Sequence, residues 1–183
     1  MRDLIDKTGL TGASLYNAFG DKRALYQTAL DRYVDQSVAD RIRRCEKLPP
    51  LEALRRFFEE IIARSVNDPN RKGCMLVNAA LEVAQHDAEF RRSIASVLAQ
   101  IEAFFRKCIH AGQAEGSITR SQHADDLARH LLGIVLGLRV LARVRPDRTL
   151  LEGVVRPALA LLDGQETRAR AVASGTTKRS RSR

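Results

Sequence analysis

The 183-residue chain contains no tryptophan and only five prolines, and it has little of the alternation of valine, isoleucine and threonine that strands require. This scarcity argues against a β-sheet. Apolar residues instead recur at helical spacing along most of the chain, so we predict an all-α protein. Hydrophobic residues make up 44% of the sequence and charged residues 29%, which is the composition of an ordinary globular protein.

Cysteine is also scarce. Cys45, Cys74 and Cys108 are an odd number of thiols with no CxxC pair, which excludes a disulfide framework and favours a reducing compartment. Four charged residues among the first seven leave no apolar core for an export signal. The most apolar stretch, LLGIVLGLRVLARV, is interrupted by Arg139 and is too short to span a bilayer. We therefore expect a cytoplasmic protein that does not enter a membrane.

Catalytic motifs are missing as well. The four histidines form no HExxH or other metal-ligand spacing, and the chain has no phosphate-binding loop and no nucleophile elbow. We expect no enzyme, no metal site and no cofactor. His130, on an apolar helix face, is expected to be a core histidine with satisfied hydrogen bonds.

The net charge of +9 is unevenly distributed. Residues 164–183 carry six basic residues against one acidic residue, so they supply five of these nine charges. We expect this basic tail to be disordered and to add at most a weak, salt-sensitive attraction to phosphates. The rest of the chain is only mildly basic.

The segment TGLTGASLYNAFGDKRALY, residues 8–26, predicts the second half of a helix-turn-helix. A short helix over residues 2–7 should end at Gly9, and Thr11 should cap the next helix. We expect Leu10, Leu15 and Phe19 to face inward, which leaves small and polar residues on the outer face. Such a pair of helices suits a reader of the DNA major groove, although an ordinary surface αα-hairpin has the same pattern.

The longer segment RDLIDKTGLTGASLYNAFGDKRALY resembles helices two and three, and the start of helix four, of the TetR family of transcriptional repressors. The matching positions are Gly9, Thr11, Ser14, Leu15, Tyr16, Phe19 and Lys22. The resemblance implies DNA contacts by Thr11, Gly12, Ala13, Ser14, Tyr16, Asn17 and Lys22. Tyr16 suits a phosphate oxygen or a thymine methyl group, and Thr11, Ser14 and Asn17 suit base edges. Lys22 suits a phosphate, which the free N–H groups at the start of the next helix would also bind.

The family ordinarily has a further helix before this point, which packs on the helix-turn-helix. We therefore expect that the true start lies upstream of Met1. The alternative to a repressor is a helical dimerisation module without competent DNA binding, because this first helix is missing.

The remainder predicts a helical domain. One long amphipathic helix should run from Lys22 to Pro49, and a second from Pro50 to the polar loop NDPNRKG. The next stretch, CMLVNAALEVA, should be buried on most sides. Asp87 should cap a long helix that Gly112 and Gly116 close. Thr149 should cap the last helix, in which Pro157 should produce a kink or a later start. We predict a DNA-binding region over residues 1–45, a ligand-binding and dimerisation domain over 46–163, and the tail over 164–183.

The two C-terminal helices are apolar on most sides, and Gly133 and Gly137 lie four residues apart. Such a face is either central core or a dimer seam. The family resemblance favours the seam, and hence a homodimer that places two recognition helices on a pseudo-palindromic operator.

Two kinds of signal are considered for such a regulator: thiol chemistry and a small-molecule ligand. Cys74 follows Arg71 and Lys72 at a predicted helix start, an environment that favours a reactive thiolate, although a buried structural cysteine is more common. The family's usual arrangement is instead an apolar cavity for an unidentified small-molecule effector. Helical periodicity offers as lining residues Asn78, Glu82, Phe104, Cys108 and Arg139.

Overall fold

The computed structural model describes residues 2–163, and the predicted basic tail lies outside this range. Within it the chain forms α1 (Arg2–Thr8), α2 (Gly12–Phe19), α3 (Lys22–Val34), α4 (Asp40–Cys45), α5 (Pro50–Val66), α6 (Met75–Glu82), α7 (Ala88–Glu115), α8 (Ala124–Val144) and α9 (Arg148–Ala160). The prediction of an all-α fold is confirmed. No described helix combines the length and apolarity that a membrane span requires.

The chain forms two compact units, the first ending at Asp40 and the second beginning at Arg41. In the first unit, Gly9 adopts a φ of +69° after α1, and the Thr11 hydroxyl caps α2 by accepting from the Ser14 N–H at 3.1 Å. Leu15 is buried as expected, but Leu10 is exposed. The inward placement of Leu10 is wrong because this residue precedes the cap and lies in the turn.

The predicted long helix after Lys22 is not a continuous α-helix. Residues 35–39 form a π-helical turn between α3 and α4, in which the Asp40 N–H donates to the Asp35 carbonyl. A π turn contains one residue more than an α turn, so it shifts the side-chain register of the residues after it. The apolar spacing did not reveal it because both kinds of turn repeat at about four residues.

The second unit has an aromatic core between α5 and α7. Phe57 of α5 lies 5.0 Å from Phe105 and 5.4 Å from Phe104 between ring centroids, and Phe58 stacks on Phe105 at 5.8 Å. α8 packs along α7 and also contacts α5, and α9 packs on α8 and α5. This core is the scaffold on which the other helices of the unit are placed.

The helix ends of the second unit agree only in part with the sequence expectations. Asp87 caps α7, and Gly116 ends it with a φ of +82°. Gly112, however, lies inside α7, so its predicted closing role is wrong. The cap of α9 is Asp147, whose carboxylate accepts from the Leu150 N–H at 2.7 Å. The Thr149 cap is therefore wrong.

Pro157 lies inside α9, which begins at Arg148, so the helix start is not shifted. The prediction that residues 74–84 are buried on most sides agrees with the structure: Leu76, Val77 and Ala79 are buried, and only Leu81 and Glu82 of this stretch are exposed.

Gly112 provides a test of packing between α7 and the chain that follows it. A Cβ atom at this position would lie 2.5 Å from Ile118 Cδ1, whereas a Cβ at Gly153 of α9 would meet nothing within 4 Å. We expect Gly112→Ala to lower the free energy of unfolding by about 1–3 kcal/mol, as overpacking does. Gly153→Ala should raise it by roughly 0.5–1 kcal/mol because alanine favours a helix. Urea denaturation measures both, and equal stability of the two variants would contradict the packing.

Candidate nucleic-acid interface and effector site

The outer face of α2 is accessible, as a groove-reading helix requires. Thr11, Ala13, Ser14 and Asn17 are exposed, Gly12 is half-buried, and Tyr16 is 48% exposed. The buried Leu15 holds the opposite side of the helix. All of these residues except the half-buried Gly12 are therefore accessible to a partner.

Two of these side chains also have a local structural role. The Thr11 and Ser14 hydroxyl oxygens lie 2.9 Å apart, and the Thr11 oxygen accepts from the Ser14 N–H. This arrangement fixes the start of α2. A hydroxyl has one proton and two lone pairs, so each keeps capacity for a further hydrogen bond.

Lys22 is exposed at the first position of α3, directly after a residue that the sequence reasoning missed. The Asp21 carboxylate accepts from the Ala24 N–H at 2.7 Å and so caps α3. The expectation that free N–H groups support Lys22 is wrong for Ala24, because that group is occupied. An aspartate directly before a helix is a common cap and could have been recognised.

The charge of the first unit is nearly balanced. Between residues 2 and 40 the sequence has five basic and six acidic residues. Attraction to a phosphate backbone therefore depends on where individual cations lie. Lys22 and Arg23, both exposed at the start of α3, are the adjacent basic pair nearest to α2 in the sequence.

The five residues predicted to line an effector cavity are not equivalent. Phe104 and Cys108 are buried on α7, Phe104 against Phe57, and Arg139 is buried on α8. Asn78 is half-buried, and Glu82 is exposed at the end of α6. The structure thus places three of them in the interior and Glu82 at the surface.

Asn78 forms two hydrogen bonds, one to α8 and one to the loop before α6. Its side-chain oxygen accepts from Arg143 Nη1 at 2.8 Å, and its amide nitrogen donates to the Lys72 carbonyl at 3.2 Å. These hydrogen bonds fix the loop before α6, in which Arg71 and Gly73 have positive φ angles. This loop leads directly into Cys74.

Two clefts open on the surface of the second unit. One, of about 310 Å³, lies between α5 and α9 and is lined by Arg55, Phe58, Glu59, Ile62, Arg148, Glu152, Val155, Arg156 and Leu159. The other, of about 460 Å³, lies beside the α7–α8 connection and includes His110 and His123. Neither cleft contains a residue from the predicted effector set.

The three cysteines are buried free thiols. Burial, reinforced by the negative charge of Glu60, raises the pKa of Cys45 to about 11. Burial and the charge of Glu46 raise the pKa of Cys108 to about 11 as well. Cys74 is the N-cap residue of α6, as the sequence suggested, but it is also in the interior.

A charged cluster that the sequence did not indicate joins α4 to α5. Glu60 lies 2.7 Å from Arg44 and 3.5 Å from both Arg41 and Arg56. Burial by itself would raise the pKa of Glu60, but the hydrogen bond from Arg44 and the three positive charges lower it. Glu60 therefore stays ionised and holds α4 on α5.

The outer face of α8 is exposed along the length of the helix. His130, Gly133, Gly137, Val140 and Val144 are all exposed and recur every three or four residues, so they form one stripe. The prediction that His130 is a core histidine is wrong, because it belongs to this stripe. No group of three or more potential metal ligands occurs among the described residues.

Comparison with known proteins identifies the family. Residues 50–158 match the family model described as the tetracyclin repressor-like C-terminal domain. The uncharacterized HTH-type transcriptional regulator YezE of Bacillus subtilis is 32% identical over 158 residues, which cover 83% of this chain and 79% of YezE. The HTH-type transcriptional repressor ComR of Escherichia coli is 26% identical over 145 residues, covering 78% of this chain and 69% of ComR.

A solved structure extends the similarity across both units. A cysteine mutant of the TetR family transcriptional regulator CifR, complexed with 26-base-pair double-stranded operator DNA, has a TM-score of 0.77 and 28% identity. The match covers 87% of this chain and 84% of the CifR chain. The relatives of this chain are transcriptional regulators, in agreement with the expectation that the chain is not an enzyme. The chain is a transcriptional regulator of the TetR family.

Proposed function

We propose that the chain binds operator DNA through α2 and the start of α3 and represses transcription. The accessible outer face of α2 is the observation that carries this proposal. Thr11, Ser14 and Asn17 supply groups for base edges, and Tyr16 and Lys22 supply groups for phosphates. The operator complex of CifR and the repressor name of ComR support the assignment.

The same proposal includes a homodimer formed through α8 and α9. The stripe of glycines and valines on α8 is apolar and exposed, and its two glycines allow the backbone of a second helix to approach. A two-fold dimer would place two α2 helices on the half-sites of a pseudo-palindromic operator.

We favour a reversible small-molecule effector over a redox signal because all three thiols are buried. A thiol with a pKa near 11 is almost entirely protonated at neutral pH, and the thiolate is the reactive form. Cys45 and Cys108 are therefore poor sensors. Sensing by Cys74 is the second hypothesis, supported by its position at the start of α6, shortly after Arg71 and Lys72.

The DNA-binding proposal predicts distinct effects for two cations of α3. Lys22→Ala should weaken binding to a duplex recovered by genomic selection and should lower the slope of log affinity against log salt by about two for a dimer, which is about one for each subunit. Arg32→Ala, an exposed cation later in α3, should change neither value. Fluorescence anisotropy over a salt series measures both, with circular dichroism as the folding control. If wild-type protein selects no DNA, the dimerisation-module alternative is favoured.

The dimer proposal predicts different outcomes for two exposed apolar residues. Val140, on the stripe, is 47% exposed, and Leu81 of α6 is more exposed but lies outside it. Val140→Glu should convert the dimer to a monomer because it buries an unpaired charge in the seam. Leu81→Glu should leave the dimer intact. Light scattering after gel filtration gives the masses, and a dimeric Val140→Glu protein at low micromolar concentration would contradict the seam.

The cysteine environments predict slow thiol chemistry. At pH 8 a thiol with a pKa of about 11 has a thiolate fraction on the order of one in a thousand, so Cys45 and Cys108 of the native protein should react slowly with a disulfide reagent such as DTNB. Because folding raises both pKa values from 9.0, the free energy of unfolding should fall as pH rises from 9.0 to about 11. A fast-reacting thiol that disappears in Cys74→Ser would instead support sensing by Cys74.

A further inference from the structure

The cleft between α5 and α9 has an apolar floor and a charged rim. Its apolar lining residues come in two pairs, each one helical turn apart: Phe58 and Ile62 on α5, and Val155 and Leu159 on α9. All four are buried or half-buried. The other five lining residues are charged and exposed: Arg55, Glu59, Arg148, Glu152 and Arg156. A molecule in the cleft would therefore contact hydrocarbon on one side and charged groups at the edge.

Two of the three rim arginines already have a counter-charge. Arg148 Nη1 lies 3.3 Å from Glu152 Oε1, one turn further along α9. Arg55 Nη2 lies 3.3 Å from Asp163 Oδ1. Both pairs lie at the surface, where an ion pair contributes little to stability, but each neutralises its arginine.

Arg156 is the third rim arginine, and it has no such partner. Among residues 2–163 it forms no hydrogen bond, ion pair or ring contact. The nearest cation to the remaining rim carboxylate, that of Glu59, belongs to Arg56, which lies 3.7 Å away and does not line the cleft. Arg156 is therefore the cation of the rim that is available to a ligand.

The second cleft, beside the α7–α8 connection, has neither feature. Ala114 and Ala124 are its only apolar lining residues. The guanidinium of Arg120 is already committed, since its Nε and Nη2 donate to the carbonyl oxygens of Gln113 and Ala114. Of the two clefts, only the one between α5 and α9 combines an apolar floor with an uncommitted arginine.

We propose that the cleft between α5 and α9 is the effector site, and that its ligand is a small amphipathic monoanion with one carboxylate. The proposal rests on the effector response included in the proposed function and names the class of ligand. The aliphatic or aromatic body would lie on the apolar floor. The carboxylate would accept two parallel hydrogen bonds from the Arg156 guanidinium. The cleft volume of about 310 Å³ is at the lower end of the range for ligand pockets, which suits a ligand of one or two rings or a short chain.

The position of this cleft connects it to the rest of the unit. The ring of Phe58, in the floor, stacks on Phe105 of α7 at 5.8 Å between centroids. One wall belongs to α9, a helix of the proposed dimer seam, and the other belongs to α5, on which Glu60 holds α4. A ligand that alters the packing of α5 against α9 would therefore act on both of these elements.

The test uses the full chain without DNA, so its result does not depend on operator binding. Benzoate, 2-naphthoate, hexanoate and octanoate are each compared with their neutral amides at constant ionic strength, and the thermal midpoint is measured at increasing concentration. A ligand that binds only the folded state raises this midpoint. We expect at least one carboxylate to raise the midpoint of the wild-type protein, and its amide to need at least a tenfold higher concentration for the same rise.

Three variants locate the binding at the cleft. Arg156→Gln should weaken the affinity for that carboxylate about tenfold, as the loss of hydrogen bonds to a charged group does, and should leave the midpoint of the unliganded protein unchanged. Glu59→Gln should strengthen the affinity, because it removes a negative charge from the rim. Arg92→Gln is the matched control and should behave as wild type, since Arg92 of α7 is also exposed and without a partner among residues 2–163 but does not line the cleft.

Four results would overturn the proposal: no rise in midpoint with any carboxylate, an equal rise with the matching amide, an unchanged affinity in Arg156→Gln, or an equal loss of affinity in Arg92→Gln. The third would place the ligand elsewhere in the protein, and the fourth would show a general effect of charge. None of these results bears on DNA binding, whose failure is read independently from the anisotropy titration.

Discussion

The second unit depends on the packing of α5 against α7 through four phenylalanines. Phe57, Phe58 and Phe105 are almost fully buried, and Phe104 closes the cluster with its ring 5.6 Å from that of Phe105. Each large aromatic side chain contributes a few kcal/mol when it leaves water, and pairs of rings add to this. Because α8 packs along one side of this core, its inner face is fixed and its outer stripe remains available.

Charge is the second constraint on this unit. Glu60 binds Arg44 and lies 3.5 Å from Arg41 and Arg56, so these ion pairs connect α4 to α5.

Local chemistry determined which features could be predicted. Thr11, Asp87 and Gly116 act through a few neighbouring backbone groups, so their roles as caps and as a helix end could be predicted from the sequence. Asp147 and Thr149 lie two residues apart, and both have side chains that can cap a helix. Only the backbone geometry shows that Asp147 is the cap. The role of Gly112 could not be predicted because its reason is a close approach by Ile118, which is a tertiary contact.

The candidate sites show the same division. The residues proposed to contact DNA belong to one contiguous motif, and all of them except the half-buried Gly12 are exposed. The effector residues were chosen by periodicity alone, which identifies inward-facing positions but not their partners. Periodicity therefore grouped the surface residue Glu82 with the buried Arg139, and it could not show that Asn78 is held by Arg143. The exposure of His130 was missed for the same reason, since an apolar helix face has the same pattern whether the chain or a second copy covers it.

The central claim is that two copies of this regulator bind one duplex through α2. Native mass spectrometry of the protein mixed with a selected pseudo-palindromic duplex tests it most directly, because the mass gives the number of chains on each duplex. We expect two chains, or a multiple of two, for every bound duplex, with no complex of a single chain at protein concentrations above the dimer dissociation constant. A dominant complex with one chain, or a dimer that leaves the duplex unbound at low salt, would contradict the claim.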